Sequence, residues 1–351
     1  MPGIVGCVTR RPSRFAELEV KRMTETLLHE EFYVSGSYSD KSQGIYVGWV
    51  ARENAFSDGM PLRSEREDVV LVFSGEEYPD PNSILQLKSN GHEFNIEGAS
   101  YLVHSYEDDP NFPAGLNGRF HGLVIDRNRG NALLFNDRYG MHRLYFYESS
   151  DTFYFASEAK AILEVRQDLK QIDPQSLGEF ISCSAVLENR SLFKDIKVLP
   201  PAAAWIFRCG VLSHKGAYFT PSNWENQEQL PTEDYYQELR TTFAGNLTRY
   251  FRGHERIGMS LTGGLDTRMV LAWGRPLPGS LPCYTFGSMY RESQDVRVAR
   301  QVAEASSQPF HILTAGQRFL SEFSRYARRT VYLTDGCMDA VSYTHLTLPT
   351  N

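Results

Sequence analysis

The chain has 351 residues, 41% of them apolar and 13% aromatic, so two domains with ordinary cores are expected. Its formal net charge of −7 and the lack of any basic run argue against nucleic-acid or membrane-surface binding, while leaving room for a loop that holds a small anion. No stretch approaches the roughly 18 consecutive apolar residues of a membrane span and the amino-terminal region lacks a signal-peptide core, which predicts a soluble, cytoplasmic protein.

Short alternating runs dominate the first part. GIVGCVT (3–9), GIYVGWVA (44–51) and VVLVFSG (69–75) read as strands, and FHGLVIDRNRGNALLFND (120–137) and RLYFYESSDTFYFASE (143–158) as hairpins with polar turns. Helical spacing at 15–29, through Phe15, Leu18, Met23 and Leu27, and again at 99–106 adds packed helices. The first domain, 1–215, is therefore expected to be α+β with antiparallel sheets. Periodicity is lost in YFTPSNWENQEQLPTED (218–234), where Pro, Asn, Gln and Ser collect, and a linker is placed at 216–231. A helix is expected from Thr232 to about Arg252, with Tyr236, Leu239, Phe243, Leu247 and Tyr250 on one stripe. Strands at 257–261, 281–287 and 310–313 then alternate with a helix starting near Asp266 and another over 293–307. This βαβαβ order within 232–340 predicts a parallel sheet covered on both faces, whose ligands bind beyond the carboxyl ends of the strands.

The segment MSLTGGLDTRMV (259–270) stands at such an end. Gly263 and Gly264 have no Cβ to block approach, so successive backbone N–H groups can enclose an anion, aided by the positive end of the following helix and the hydroxyls of Thr262 and Thr267. A carboxylate in that loop, Asp266, repels phosphate unless a cation lies between them, and so points to Mg2+. The lysine of the GxxxxGKS/T loop is missing, which sets aside kinase- and GTPase-type phosphate binding. An ordinary turn with Asp266 capping the helix accounts for the same TGGLDT letters, and both readings stay open. The cysteines, at 7, 183, 209, 283 and 337, show no CxxC and are expected to be reduced and buried. The histidines show no HExxH or paired spacing, so no His/Cys metal site is expected.

SLTGGLDT resembles the SGGLDS pyrophosphate loop of ATP pyrophosphatases, and CYTFGSMYRESQDVRVARQVAE (283–304) resembles the strand and helix that follow it in glutamine-dependent asparagine synthetases. VVLVFSGEEY (69–78) is similar to that family's NGEIYN segment and GLNGRFHGLVID (115–126) to its LxGMFAFalyD strand. NDRYGMHRLYFYESSDTFYFASEAKAIL (136–163) is similar to its RDxxGxxPLYY…FASExKAL region. On these motifs, in order over residues 1 to about 340, the chain is identified as a member of the asparagine synthetase-like family. The resemblance implies a class II glutamine amidotransferase domain, an α+β sandwich of the N-terminal-nucleophile type. After it would come an α/β PP-loop domain (adenine nucleotide α hydrolase-like) that adenylates a carboxylate, using ATP and Mg2+, for attack by ammonia. It also implies that Ser260, Thr262, Gly263, Gly264, Leu265, Asp266, Thr267, Phe286 and Asp295 surround ATP and pyrophosphate, with Asp266 meeting the metal through the phosphates. Asp295 is equally well a first-turn acid favourable with its helix dipole.

The family's catalytic cysteine, the residue after the initiator Met, attacks glutamine as a thiolate with its own α-amine as base. Here that residue is Pro2, which has no nucleophilic side chain. Cys7 lies in a strand whose alternation marks it as core. Ser74 stands for the oxyanion-hole asparagine, Gly98 falls near the aspartate that binds the substrate's α-amine, and HEEFYVSG (29–36) replaces the RHRGPD run, while Gly75 and Glu76 remain. A missing oxyanion donor alone costs about 3 kcal/mol. A degenerate glutaminase with no assigned catalytic residue is therefore expected; Pro2 as a secondary-amine base has no partner in the sequence. Asp137, Arg138 and Gly140 are retained, and an Asp–Arg pair at a strand end reads as a structural ion pair.

VSYTHLTLPTN (341–351) resembles translated adapter sequence and is expected to be foreign, its alternative being a short strand. The family's SGEGxDE loop and later lysine do not occur before it, so a truncated ATP domain, itself inactive, is expected. The parent protein reads as an ATP-dependent carbon–nitrogen ligase acting on a small-molecule or peptide carboxylate, in asparagine biosynthesis or a related amide-forming pathway. The alternatives are a peptide- or β-lactam-forming cyclase, in which an amine on the substrate replaces ammonia, and a non-catalytic nucleotide-binding scaffold. Neither nucleic acid nor a membrane is an expected partner. A homodimer is compatible with the sequence, which does not fix the oligomeric state.

Overall fold

The computed structural model describes residues 2–251 and 257–337, which divide into two compact units, 2–226 with 328–337, and 227–327. The first unit is built on two six-stranded sheets. In one, β1 (Gly3–Thr9) lies between β3 (Ile45–Arg52) and β9 (Thr152–Ala156), antiparallel to both. β2 (Tyr33–Asp40) forms one edge, and β8 (Tyr145–Glu148) with β10 (Lys197–Val198) the other. The second sheet runs β4 (Leu62–Arg63), β5 (Val69–Glu77), β6 (Gly118–Asp126), β7 (Asn131–Asn136), β11 (Ala203–Arg208) and β12 (Val211–Ala217), antiparallel throughout.

Side-chain alternation along the strands decides the layers. In β1, Ile4 and Val8 join the core that includes Val70, Val72, Phe120 and Phe135 of the second sheet. Val5 and Cys7 point the other way, into a core shared with α1 (Ser13–Leu27) and α4 (Ala159–Val165). α1 meets them with Ala16, Val20, Met23 and Leu27, spaced along one helical face. α2 (Pro81–Ser89) and α3 (Tyr101–Asp108) contribute Ile84, Leu87, Leu102 and Tyr106 to the core of the second sheet, so the layers run helix, sheet, sheet, helix. α5 (Pro174–Cys183), capped by Asp173, and α6 (Ser222–Glu225) complete the unit before residue 226.

The second unit holds α7 (Thr232–Tyr250), β13 (Met259–Ser260), α8 (Leu265–Gly274), β14 (Cys283–Ser288), α9 (Gln294–Ala305), β15 (Phe310–Ala315) and α10 (Gln317–Ser321). Its three strands are parallel, in the order β13-β14-β15. Leu261, Leu271, Leu281, Cys283, Ala299 and Ala303 form its core. The final helix, α11 (Phe323–Thr334), carries the chain back to the first unit. There Asp335 accepts the N–H groups of Ala159 at 2.5 Å and Lys160 at 3.3 Å, satisfying the buried amino end of α4. Among the described residues no helix is long and apolar enough to cross a membrane.

Several expectations are corrected. The linker placed at 216–231 contains the end of β12 and the whole of α6, and the domain read as continuous over 232–340 gives 328–337 to the first unit. Cover on both faces of the parallel sheet fails at β15, where every residue is at least partly exposed, since it has a neighbouring strand on one side alone among the described residues. Cys183 and Cys209 are exposed, one at the end of α5 and the other in the β11–β12 turn. The segment 341–351 and position 252 lie outside the described residues.

Candidate functional sites

Pro2 leads into β1, and the residues around that entry form a buried polar cluster. Gly3 leaves no room for a side chain, because a Cβ there would stand 1.9 Å from Ser157 Oγ and 3.8 Å from His121 Nε2. Ser157 is fixed beside the entry by donating its N–H to Ile4 O at 2.9 Å. His121 stacks on His142 with ring centroids 4.2 Å apart, its Nδ1 3.3 Å from His142 O. His142 Nε2 in turn lies 3.4 Å from Ser74 Oγ. His121 Nε2 and Ser157 Oγ are buried with no hydrogen-bond partner among the described residues.

Burial, reinforced by His142, holds His121 well below the ordinary imidazole range. Burial and then the nearby Arg119 charge push His142 down to about 4. Both rings are therefore neutral at neutral pH and weak bases, and the Pro2 side chain offers no nucleophile. Cys7 does not replace it: its side chain is fully buried on the helix side of β1, where burial raises the thiol above its usual range.

The turn that delivers His142 is organised by Asp137. Its Oδ1 accepts the N–H groups of Tyr139 at 3.1 Å and Met141 at 2.9 Å, and its Oδ2 those of His142 at 2.8 Å and Phe120 at 3.3 Å. Gly140, at φ +63°, lets the chain close over this carboxylate. The ion pair expected between Asp137 and Arg138 is therefore corrected, because Arg138 Nη2 instead donates to Ala114 O at 3.0 Å and its guanidinium lies over the Phe219 ring. Gly75 has φ +112°, and a Cβ on it would come 2.1 Å from Arg119 O. Glu76 is exposed and accepts the Tyr78 hydroxyl at 2.6 Å. Gly98 lies in the loop before α3, with nothing within 4 Å of the position a Cβ would take. The cluster joins Ser74 to His142, and no contact among the described residues brings Glu76 or Gly98 to that pair. His121 and His142 were not singled out from the sequence; the available clue was a histidine inside the otherwise apolar FHGLVI run.

In the second unit the chain leaves β13 through buried Leu261 into the glycine loop. Gly264 is the N-cap of α8 and Asp266 stands in its first turn, exposed, so the reading of Asp266 as the capping residue is set aside. The Gly263 N–H donates to Asp295 Oδ1 at 3.2 Å, and the Gly264 N–H to Thr262 Oγ1 at 3.1 Å. Thr267 Oγ1 donates to Thr262 O at 3.3 Å, tying the loop to the helix. A Cβ on Gly263 would stand 2.9 Å from the Asp295 carboxylate. Asp295 lies in the first turn of α9, whose cap is Ser293, accepting the Val296 N–H. Ser260 and Leu265 are exposed, and Phe286 is half-buried on β14, edge-on to Tyr284. The loop thus presents an amide that already holds an anionic oxygen, with a second carboxylate in the helix turn that follows.

A family model described as a glutamine amidotransferase domain matches residues 1–219. Asparagine synthetase (glutamine-hydrolyzing) 1 of Bacillus subtilis (strain 168) is 25% identical over 313 residues, 87% of this chain and 49% of that protein. Asparagine synthetase (glutamine-hydrolyzing) 3 of the same organism is 27% identical over 231 residues, 64% of this chain and 37% of that protein. The chain spans about half the length of the first relative and less of the second. Among solved structures, glutamine phosphoribosylpyrophosphate (PRPP) amidotransferase from B. subtilis, complexed with ADP and GMP, aligns with 88% of this chain and 65% of its own, at TM-score 0.44 and 12% identity.

Proposed function

We propose, for a chain that belongs to the glutamine amidotransferase domain family through residues 1–219, that it serves an asparagine synthetase-like, ATP-dependent amide ligase whose glutaminase no longer works. The observation that carries the ligase reading is the Gly263 N–H, which holds a carboxylate oxygen beyond the carboxyl end of a parallel strand. An amide that binds one anionic oxygen suits a phosphoryl oxygen equally well, and the amino end of α8 adds its positive dipole. Bound there, ATP with Mg2+ would supply the activation of a carboxylate by adenylation. Gly263 and Gly264 would hold the phosphate oxygens, and Thr262 and Thr267 would keep the loop in shape. Asp266 and Asp295 would supply the hard oxygen ligands that a magnesium ion between carboxylate and phosphate requires. With Pro2 in place of a nucleophile, the nitrogen would come from ammonia or from an amine on the substrate, and the acyl donor would be a small-molecule or peptide carboxylate.

Calorimetric titration with ATP, with and without Mg2+, tests this reading. Binding should require Mg2+. Asp266→Asn should weaken it chiefly when magnesium is present, whereas Gly264→Val should exclude both ATP and free pyrophosphate by filling the concavity. Unchanged affinity in both variants on folded protein would sink the phosphate-loop claim. One observation favours a second reading, a non-catalytic scaffold: the loop amides are satisfied internally by Asp295 and Thr262. That reading gives no magnesium-dependent binding of ATP to the wild-type chain.

A further inference from the structure

We propose that Glu65, His92, His104 and Glu107 form a binding site for one divalent transition-metal ion, zinc by its chemistry, in the first unit. Glu65 comes from the turn between β4 and β5, His92 from the segment after α2, and His104 and Glu107 from one face of α3. One donor atom from each lies within 4.8 Å of all the others. His104 Nδ1 is 3.1 Å from Glu107 Oε2 and 3.7 Å from Glu65 Oε2, and His92 Nδ1 is 3.5 Å from Glu65 Oε1. Tetrahedral zinc, with bonds of about 2.1 Å, sets its donors about 3.4 Å apart. These separations lie near that edge length, the two to Glu65 through its two different oxygens, and the donor set, within 4.8 Å throughout, would draw in by about an ångström as the ion binds one oxygen of each carboxylate.

The imidazoles support the same geometry. The rings of His92 and His104 stack with centroids 4.5 Å apart, and both turn Nδ1 toward Glu65. His92 uses its second nitrogen elsewhere: Nε2 lies 3.2 Å from Asp108 Oδ2, a carboxylate that Asn90 Nδ2 also holds at 2.8 Å. A carboxylate behind an imidazole fixes the tautomer whose other nitrogen carries the free lone pair and raises its basicity, as behind ligating histidines generally. His104 is 4% exposed, so one wall of the site is already closed to water. Two imidazoles and two carboxylates fill a tetrahedron and leave no open position, which is the form of a structural site; imidazole donors favour zinc over magnesium or calcium. The ion would clasp the β4–β5 turn and the segment after α2 onto α3.

The full chain, stripped by a chelator, would be titrated with Zn2+ and separately with Co2+. One Zn2+ per chain should survive dialysis, Co2+ should show the visible bands of a tetrahedral ion, and Zn2+ should raise the melting temperature. Glu65→Gln, in an exposed turn, and His104→Ala should abolish retention, and Asp108→Asn should weaken affinity by roughly 10–100-fold. His214→Ala, exposed on β12, should change nothing. Should His104→Ala fail to fold, Glu65→Gln decides alone. No retained zinc in the wild-type chain, or retention that survives Glu65→Gln, overturns the proposal; so does retention that His214→Ala removes.

Discussion

Replacing Asp137 by alanine should destabilise the first unit by about 3 kcal/mol. The residue is 1% exposed and its carboxylate accepts four backbone N–H groups. Two of the donors belong to Tyr139 and Met141, residues 54% and 57% exposed, so water can reach their amides once the carboxylate is gone. Phe120 is fully buried, so its amide has no such recourse, and His142 is only partly exposed, so its amide has little. A buried N–H left without an acceptor costs about 1–3 kcal/mol, so two cost about 2–6, and the partial access at His142 puts the sum in the lower half of that range. Asp137→Asn keeps one carbonyl oxygen but turns an NH2 group toward two of the four donors, for a loss of about 1–3 kcal/mol. Urea unfolding followed by tryptophan fluorescence reads this unit well, because Trp49, Trp205 and Trp224 lie in it; a Trp273→Phe background removes the tryptophan of the second unit. A loss below about 1 kcal/mol for Asp137→Ala, at unchanged denaturant dependence, would refute the role given to this carboxylate.

The full chain should neither release glutamate from glutamine above the buffer rate nor react at its amino terminus with a glutamine-analogue electrophile; release that disappears in Cys7→Ala would overturn this. His121 and His142 titrate below the unfolded imidazole value, so the unfolded chain binds more protons as pH falls. Their contribution to stability should be complete above about pH 6.5 and decline as pH falls, for His142 until about pH 4, by up to ~1.4 kcal/mol per pH unit for each ring. Thermal melts from pH 7 to 5 should therefore fall less steeply for His142→Gln than for the wild-type chain, and equal slopes would count against the burial of this ring. A thiol reagent under native conditions should modify Cys183 and Cys209 first and leave Cys7 and Cys283 untouched until unfolding, as mass spectrometry would show; early modification of Cys7 would contradict its place under α1.

The strands that were legible in the sequence are those where alternation and turn chemistry agree. β6 and β7 meet around a turn closed by Gly130 at φ +59°, and β8 and β9 around Ser149 to Asp151, which bond one another. α2 escaped notice although Asp80 and Pro81 are its cap and first residue, a local cue at the right spacing. β12 escaped for a physical reason: no residue of it is buried, so its sequence carries no hydrophobic pattern to read. The lack of a nucleophilic side chain at Pro2 was legible because a single position carries it. The histidine cluster was not, because His121 and His142 meet through the pairing of β5, β6 and the Asp137 turn. Asp295 was legible as a first-turn acid of its helix, but its bond to the Gly263 amide was not, because it joins the heads of α8 and α9, which are distant in sequence.

The place of β1 bears on how the chain is assembled. All seven of its residues are buried, and it is flanked by β3, which ends at Arg52, and by β9, which begins at Thr152. On a growing chain one edge of β1 can be sealed early, but the other waits until about a hundred further residues have been made. In the sheet opposite, β4 to β7 pair with their neighbours in sequence, so that only the outer edge of β7 waits, for β11. Loop closure on that scale makes folding of the β1 sheet slow, and the GIVGCVT edge stays open to pairing with other chains in the interval. Synthesis at low temperature or with chaperones that hold nascent chains should therefore raise the soluble yield, and a chain released before β9 is complete should aggregate through its earliest strand.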